Sequence, residues 1–243
     1  SRLWNNVSGV LLWMSHPAWP STDWQIYPWD YETLGSYFGS KKACEPLHIQ
    51  MTLHDRKVSV VNTTLSRHER LKAEYRIFDI TGRKIGHFSS SIAAEANAVT
   101  HCFDIKLQPT FPAVFLIRLT LISGKNVVSQ NDYWQSSLKK RKFAVFNSLA
   151  EGTLSASKLS GDEEKVLIMI INRGKDPVIG IKLNLRDKET SEILLPAYFS
   201  EGYFNLLPGE RRIVEVQTEP HGRRPCTLSA EGYNLHSADL LVL

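Results

Sequence analysis

A chain of 243 residues, 42% of them apolar, can bury one large core or two ordinary ones, and two is the better expectation at this length. A net charge of +4 gives no gathered basic face for nucleic acid, and no apolar run reaches the ~18 residues needed to cross a bilayer. The three cysteines, Cys44, Cys102 and Cys226, lie far apart, fit no metal-ligand spacing and leave one over in any disulfide scheme.

The stretch from Gly9 to Tyr31 holds Trp13, Trp19, Trp24 and Trp29. With Trp4, five of the six tryptophans fall at or before residue 29. Tryptophan gathers where a chain buries a large core or receives a ring-shaped ligand. Prolines and indoles at this density cannot make one regular helix, so the segment reads as a strand, Val10 to Met14, then an aromatic loop, then a helix. An unbroken apolar run suits a strand covered on both faces, as in a parallel sheet. Nothing after residue 45 supplies another strand-helix unit for such a sheet, so the chain reads as opening on the last piece of a fold. Tyr27, Tyr31, Leu34 and Phe38 fall at helical spacing, and Lys41 and Lys42 suit the negative end of a helix dipole. Pro46 forbids continuation, which predicts one helix over about Asp30 to Cys44.

From Leu47 the period changes to two. Leu47, Ile49, Met51 and Leu53 alternate with polar residues, and similar runs follow at Val58 to Asn62, Leu71 to Phe78, Arg83 to Ser89, Ala98 to Ile105, Ala113 to Ile122 and Asn126 to Trp134. Short strands at this spacing predict an immunoglobulin-like sandwich, although pattern alone does not separate that from a barrel. The segment Lys57 to Asp79 is echoed by Lys165 to Asp187, an offset of about 110 residues that favours two sandwiches in tandem. The expected fold is therefore mainly β: a strand-helix unit over 1–44, a sandwich over 45–138 and a second over 139–243, with a polar junction at Gln135 to Lys142.

Nucleophilic triads, zinc spacings, Gly-rich phosphate loops and dinucleotide fingerprints are absent, so no cofactor or metal is expected. His48 and His54 fall on the polar face of a strand and read as solvated surface. The basic run Lys139 to Lys142 reads as a solvated linker. Asn62-Thr63-Thr64 and Asn6-Val7-Ser8 fit the glycosylation pattern, which is common by chance. Asp23, Asp30 and Glu32 suggest a carboxylate pair for glycoside hydrolysis, but Asp30 and Glu32 are too close in sequence to face each other across a sugar, and read as a charge pair at a helix N-terminus. The aromatic loop is the one sharp signal, with Trp19 and Trp24 the better candidates for a ligand because the loop between them is rich in proline and polar residues. The competing reading makes each Trp part of a packed interface.

The stretch L-L-W-M-S-H-P-A-W-P-S-T-D-W-Q-I-Y, together with Lys41 to Gln50, resembles the end of the catalytic barrel in glycoside hydrolase family 2. The similarity is to the branch of exo-β-glucosaminidases, β-mannosidases and mannosylglycoprotein endo-β-mannosidases. V-S-Q-N-D-Y-W (Val128 to Trp134) and Ile193 to Glu210 look like a closing strand and a signature turn of the sandwiches that follow the barrel there. The resemblance implies that residues 1–44 are the eighth strand and helix of a (β/α)8 barrel, with its active site at the C-terminal ends of the strands. It also implies that Trp13 is part of the aromatic floor for the sugar, with Trp19 and Trp24 in the loop beyond. Family members carry an acid/base in an Asn-Glu pair and a later nucleophilic Glu. This chain has no Asn-Glu dipeptide, so no catalytic residue is assigned in it and the isolated chain is expected to be inactive. The expected partners are a carbohydrate, met through a parent enzyme that is periplasmic or secreted, and the missing barrel. The alternative is a free-standing carbohydrate-binding or cell-surface interaction module whose aromatic loop is a stacking platform.

Overall fold

The structure is a computed structural model that describes residues 9–21, 25–137, 143–162, 165–218 and 225–243. Its described residues gather into two compact units, one of residues 9–11 and 40–145, the other of residues 12–39 and 146–243.

The first unit is built on seven strands, β1 (Leu47–Met51), β2 (Lys57–Asn62), β3 (His68–Asp79), β4 (Lys84–Ala94), β5 (Ala98–Asp104), β6 (Val114–Ser123) and β7 (Asn126–Ser136). They form a three-stranded sheet, β1-β2-β5, and a four-stranded sheet, β4-β3-β6-β7, with every pairing antiparallel. Period-two alternation sends one set of side chains inward, and Ile49, Val58, Val60, Leu71, Ala73, Ile77, Ile117 and Leu119 meet in a common core. Each of the seven apolar runs has become a strand, a few residues longer or shorter than the run itself.

The second unit repeats the design with β8 (Leu154–Gly161), β9 (Lys165–Asn172), β10 (Val178–Asp187), β11 (Ala197–Phe199), β12 (Phe204–Leu206), β13 (Arg211–Thr218), β14 (Cys226–Gly232) and β15 (Leu235–Val242). Its sheets run β8-β9-β13-β11 and β12-β10-β14-β15. Matching β2 to β9, β3 to β10, β5 to β13 and β6 to β14 brings the two strand orders into correspondence, with β11 as an added edge. Both units are immunoglobulin-like sandwiches. The repeat reaches single residues: Asn62 and Asn172 end β2 and β9 fully buried, and Asp79 and Asp187 end β3 and β10.

The N-terminal part departs from expectation. Val10 to Met14 forms no strand and is exposed throughout, because an apolar strand holds its form only between neighbouring strands and the described residues bring none to it. The helix, α1, spans Gly35–Ala43 and not Asp30 to Cys44. Tyr31 sits at φ 65, outside the right-handed helical region, and Asp30 Oδ1 accepts a hydrogen bond from Glu32 N at 3.2 Å in a local turn. Tyr27 and Tyr31 therefore precede the helix and do not share its face. Glu32 likewise lies outside α1, whose first turn has no acidic residue.

His48 corrects the expectation of a solvated surface residue. It is buried, its Nδ1 lies 3.1 Å from Glu45 Oε2, and its Nε2 is hydrogen-bonded to Asn131 Nδ2. Ser129 Oγ donates to the same Glu45 oxygen at 2.5 Å. Burial pushes the Glu45 carboxyl up, but hydrogen bonds from His48, Lys42 and Ser129 outweigh it and hold the group below the usual carboxylate range. A polar position on a strand was thus the inner wall of a network. The basic run Lys139 to Lys142 and the pattern Asn6-Val7-Ser8 lie outside the described residues.

Candidate functional site

The aromatic loop is closed on itself. Tyr27 N donates to Ser15 O at 3.0 Å, and Tyr31 Oη is 3.0 Å from His16 Nε2, their rings 4.7 Å apart. Ser36 Oγ, on α1, donates to Gln25 O at 3.0 Å and lies 3.3 Å from Ile26 O. Pro17, Gln25 and Pro28 are buried beneath. These bonds satisfy backbone groups that the prolines and the irregular path would leave bare.

What this frame displays is apolar. Trp13 is 80% exposed and Trp19 66%, and Trp29, Tyr31 and Met14 are exposed with them. Trp13 and Trp19 stand on one loop, on either side of Ser15 to Pro17, each ring open to solvent. Trp24, the third candidate, lies outside the described residues, as does Asp23. Exposed indoles at this density mark a surface that meets something else, since a protein seldom spends them on water.

The loop continues into a dock on the second sandwich. Phe38 packs against that sandwich's core, its ring 6.0 Å from that of Tyr203. Tyr37 meets Phe38 edge to face at 5.1 Å, and Tyr27 lies 5.4 Å from Tyr37. Lys182, on β10, sits between Glu32 and Glu231, pairing with Glu32 Oε1 and lying 2.8 Å from Glu231 Oε1. Burial pulls the Lys182 ammonium down, yet the hydrogen bonds it donates to Glu231 and Glu32 hold its pKa above the ordinary lysine value. Reading the sequence missed this cluster, because ion pairs between residues 32, 182 and 231 leave no local pattern. Among the described residues no group of histidines, cysteines and carboxylates has the geometry to hold a metal ion.

The pairing of two sandwiches with this aromatic lead has counterparts. The family described as exo-β-D-glucosaminidase Ig-fold domain matches residues 131–235, and the mannosidase Ig/CBM-like domain matches residues 54–140. The chain matches the C-terminal region of glycoside hydrolase family 2 enzymes. An exo-β-D-glucosaminidase of Hypocrea virens is 28% identical over 89% of this chain and 27% of its own length. A mannosylglycoprotein endo-β-mannosidase of Lilium longiflorum is 23% identical over 100% of this chain and 32% of its own. In fold, the chain is similar to the exo-chitosanase CsxA of Amycolatopsis orientalis, with a TM-score of 0.80 at 21% identity over 94% of this chain and 30% of that one. The chain therefore spans about a third or less of the length of these relatives.

Proposed function

We propose that the chain is the non-catalytic C-terminal part of a retaining family 2 glycoside hydrolase acting on β-linked mannosides, glucosaminides or galactosides. Residues 1–44 end its catalytic barrel, and the sandwiches over 45–138 and 139–243 support that barrel. Trp13, Trp19 and Trp24 meet the sugar. The observation that carries this reading is the aromatic loop itself: bare indoles on either side of a hydrogen-bonded frame, at the place where the resemblance puts the sugar floor. Indole faces stack on the C–H faces of sugars, and stacking needs a fixed ring.

Retaining hydrolysis needs two carboxyl groups about 5 Å apart, one to protonate the leaving oxygen and one to attack. Among the described residues, the carboxylates near the loop are spoken for otherwise, since Asp30 caps the Glu32 amide and Glu32 pairs with Lys182. The chemistry therefore belongs to the rest of the barrel, and this chain's own residues shape and wall the site.

The test is direct. The purified 243-residue chain, given p-nitrophenyl β-mannoside, β-glucosaminide and β-galactoside, should release no nitrophenol. Joined to a barrel bearing the Asn-Glu pair and the later Glu, it should turn over one of them, and Trp13→Ala should then raise KM. Turnover by the isolated chain that vanishes with Asp30→Asn would overturn the assignment.

A further inference from the structure

The central turn of the stretch Ile193 to Glu210 has a use in the structure. The turn Ser200 to Tyr203 joins β11 to β12, with Tyr203 at φ 54. A side-chain carbon at Gly202 would lie 2.5 Å from the Phe38 ring, so only glycine leaves room for that ring. A side-chain carbon at Gly35, which opens α1, would lie 3.5 Å from the Tyr203 ring, an ordinary contact that sets the start of the helix beside the turn. The turn is cut to receive the helix.

Beside it, Lys182 and Glu231 are cross-strand partners on β10 and β14. Alone they would be an ordinary ion pair. Glu32 adds a second carboxylate to the same ammonium, and Lys182 and Glu32 are left only 16% and 17% exposed. Two carboxylates can crowd together here only while a cation stands between them, because like charges at this range repel.

We propose that Lys182 is a positioning residue: with the Gly202–Tyr203 turn it holds the aromatic loop in place, so the second sandwich fixes where Trp13 and Trp19 stand. The consequence for sugar binding rests on the function proposed above, whereas the docking is tested with no sugar present, so either can fail alone. Four amides report on the dock, those of Tyr27, Tyr31, Tyr37 and Phe38, which bond to Ser15, Pro28, Leu34 and Leu34 carbonyls.

Hydrogen exchange on the 243-residue chain reads them. Lys182→Met should speed exchange at these amides roughly tenfold or more while the β10 and β14 amides keep their protection, since only the dock opens. Lys182→Arg, which keeps the cation, should restore slow exchange. Gly202→Ala should reproduce the Lys182→Met pattern with every charge in place, by pushing Phe38 out. Exchange at the four amides that is unchanged in both Lys182→Met and Gly202→Ala, or raised no more there than in β10 and β14, overturns the proposal.

Discussion

Asn62 and Asn172 show how much one side chain can settle. Asn62 Nδ2 donates to Ser66 O at 2.8 Å, Ala94 O at 3.3 Å and Glu95 O at 2.9 Å, while its Oδ1 accepts from Thr64 N at 2.9 Å. Asn172 bonds to Asp176 O, Leu206 O and Gly174 N in the same manner. Each amide closes a turn and ties it to the opposite sheet. Replacing either by alanine strands buried carbonyls, and each of Asn62→Ala and Asn172→Ala should cost about 3 kcal/mol, read from urea unfolding. The same burial denies the Asn62 amide to a glycosyl transferase in the folded chain, so the glycosylation pattern there reflects the turn's chemistry. Cysteine reactivity divides in the same way. Burial pushes the Cys102 thiol up to about 11, whereas Cys44 is exposed. Only thiolate attacks an alkylating reagent, so at pH 7.5 maleimide should modify Cys44 within minutes and leave Cys102 ~100-fold slower until the chain is unfolded.

At the level of elements, strands were legible and the helix less so. Alternation over Leu47 to Met51 or Val58 to Asn62 is dictated by the pleat, so burial of one face is written in the residues themselves. The helix lost its first turn because helical spacing at Tyr27, Tyr31 and Leu34 was coincidental: Tyr31 is turned by its bond to His16, a partner fifteen residues back. The β3–β4 turn is built on Asp79, whose role can be tested. Burial raises the Asp79 carboxyl, but hydrogen bonds from Thr81 and Arg83 prevail and hold it below the usual range. A lowered folded pKa means stabilisation that is full above the unfolded value of about 3.9 and lost as pH falls through the folded one. The urea midpoint of the native chain should therefore exceed that of Asp79→Asn by a constant margin from pH 7 to about 5, and the margin should shrink below about pH 4. A margin that widens in acid would show that the carboxylate is not what the turn uses. On β6, Arg118 Nε and Nη2 reach Asp132 Oδ1 and Oδ2 at 2.7 and 2.8 Å in a pair removed from water. Arg118→Met takes the guanidinium from beside that carboxylate, and should cost about 3 kcal/mol in the same measurement.

For the molecule as a whole, the sequence disclosed the two sandwiches through their repeat, and the aromatic loop through its tryptophans. It could not disclose which sandwich holds that loop, because the deciding contacts join Glu32 to Lys182 and Phe38 to Gly202 across more than a hundred residues. What the fold leaves uncovered has a consequence of its own. Val10, Leu11, Leu12, Trp13 and Met14 are five apolar residues in succession, all exposed, with Leu11 at 99%. Fully burying such side chains is worth about 1.5 to 3 kcal/mol each, so covering part of the run in a second copy yields a net gain on the order of 5 kcal/mol. That corresponds to a dissociation constant of roughly 0.2 mM, and a run that pairs with no strand among the described residues favours strand pairing between copies. Sedimentation velocity should show a monomer at low micromolar concentration and a growing dimer as ~0.2 mM is approached. Leu11→Lys with Leu12→Lys should abolish the dimer and leave the urea midpoint unchanged, because neither side chain touches a sandwich core. A chain that stays monomeric through the millimolar range would mean that the run is covered in solution by its own loop, and a dimer that survives both lysines would place the contact elsewhere.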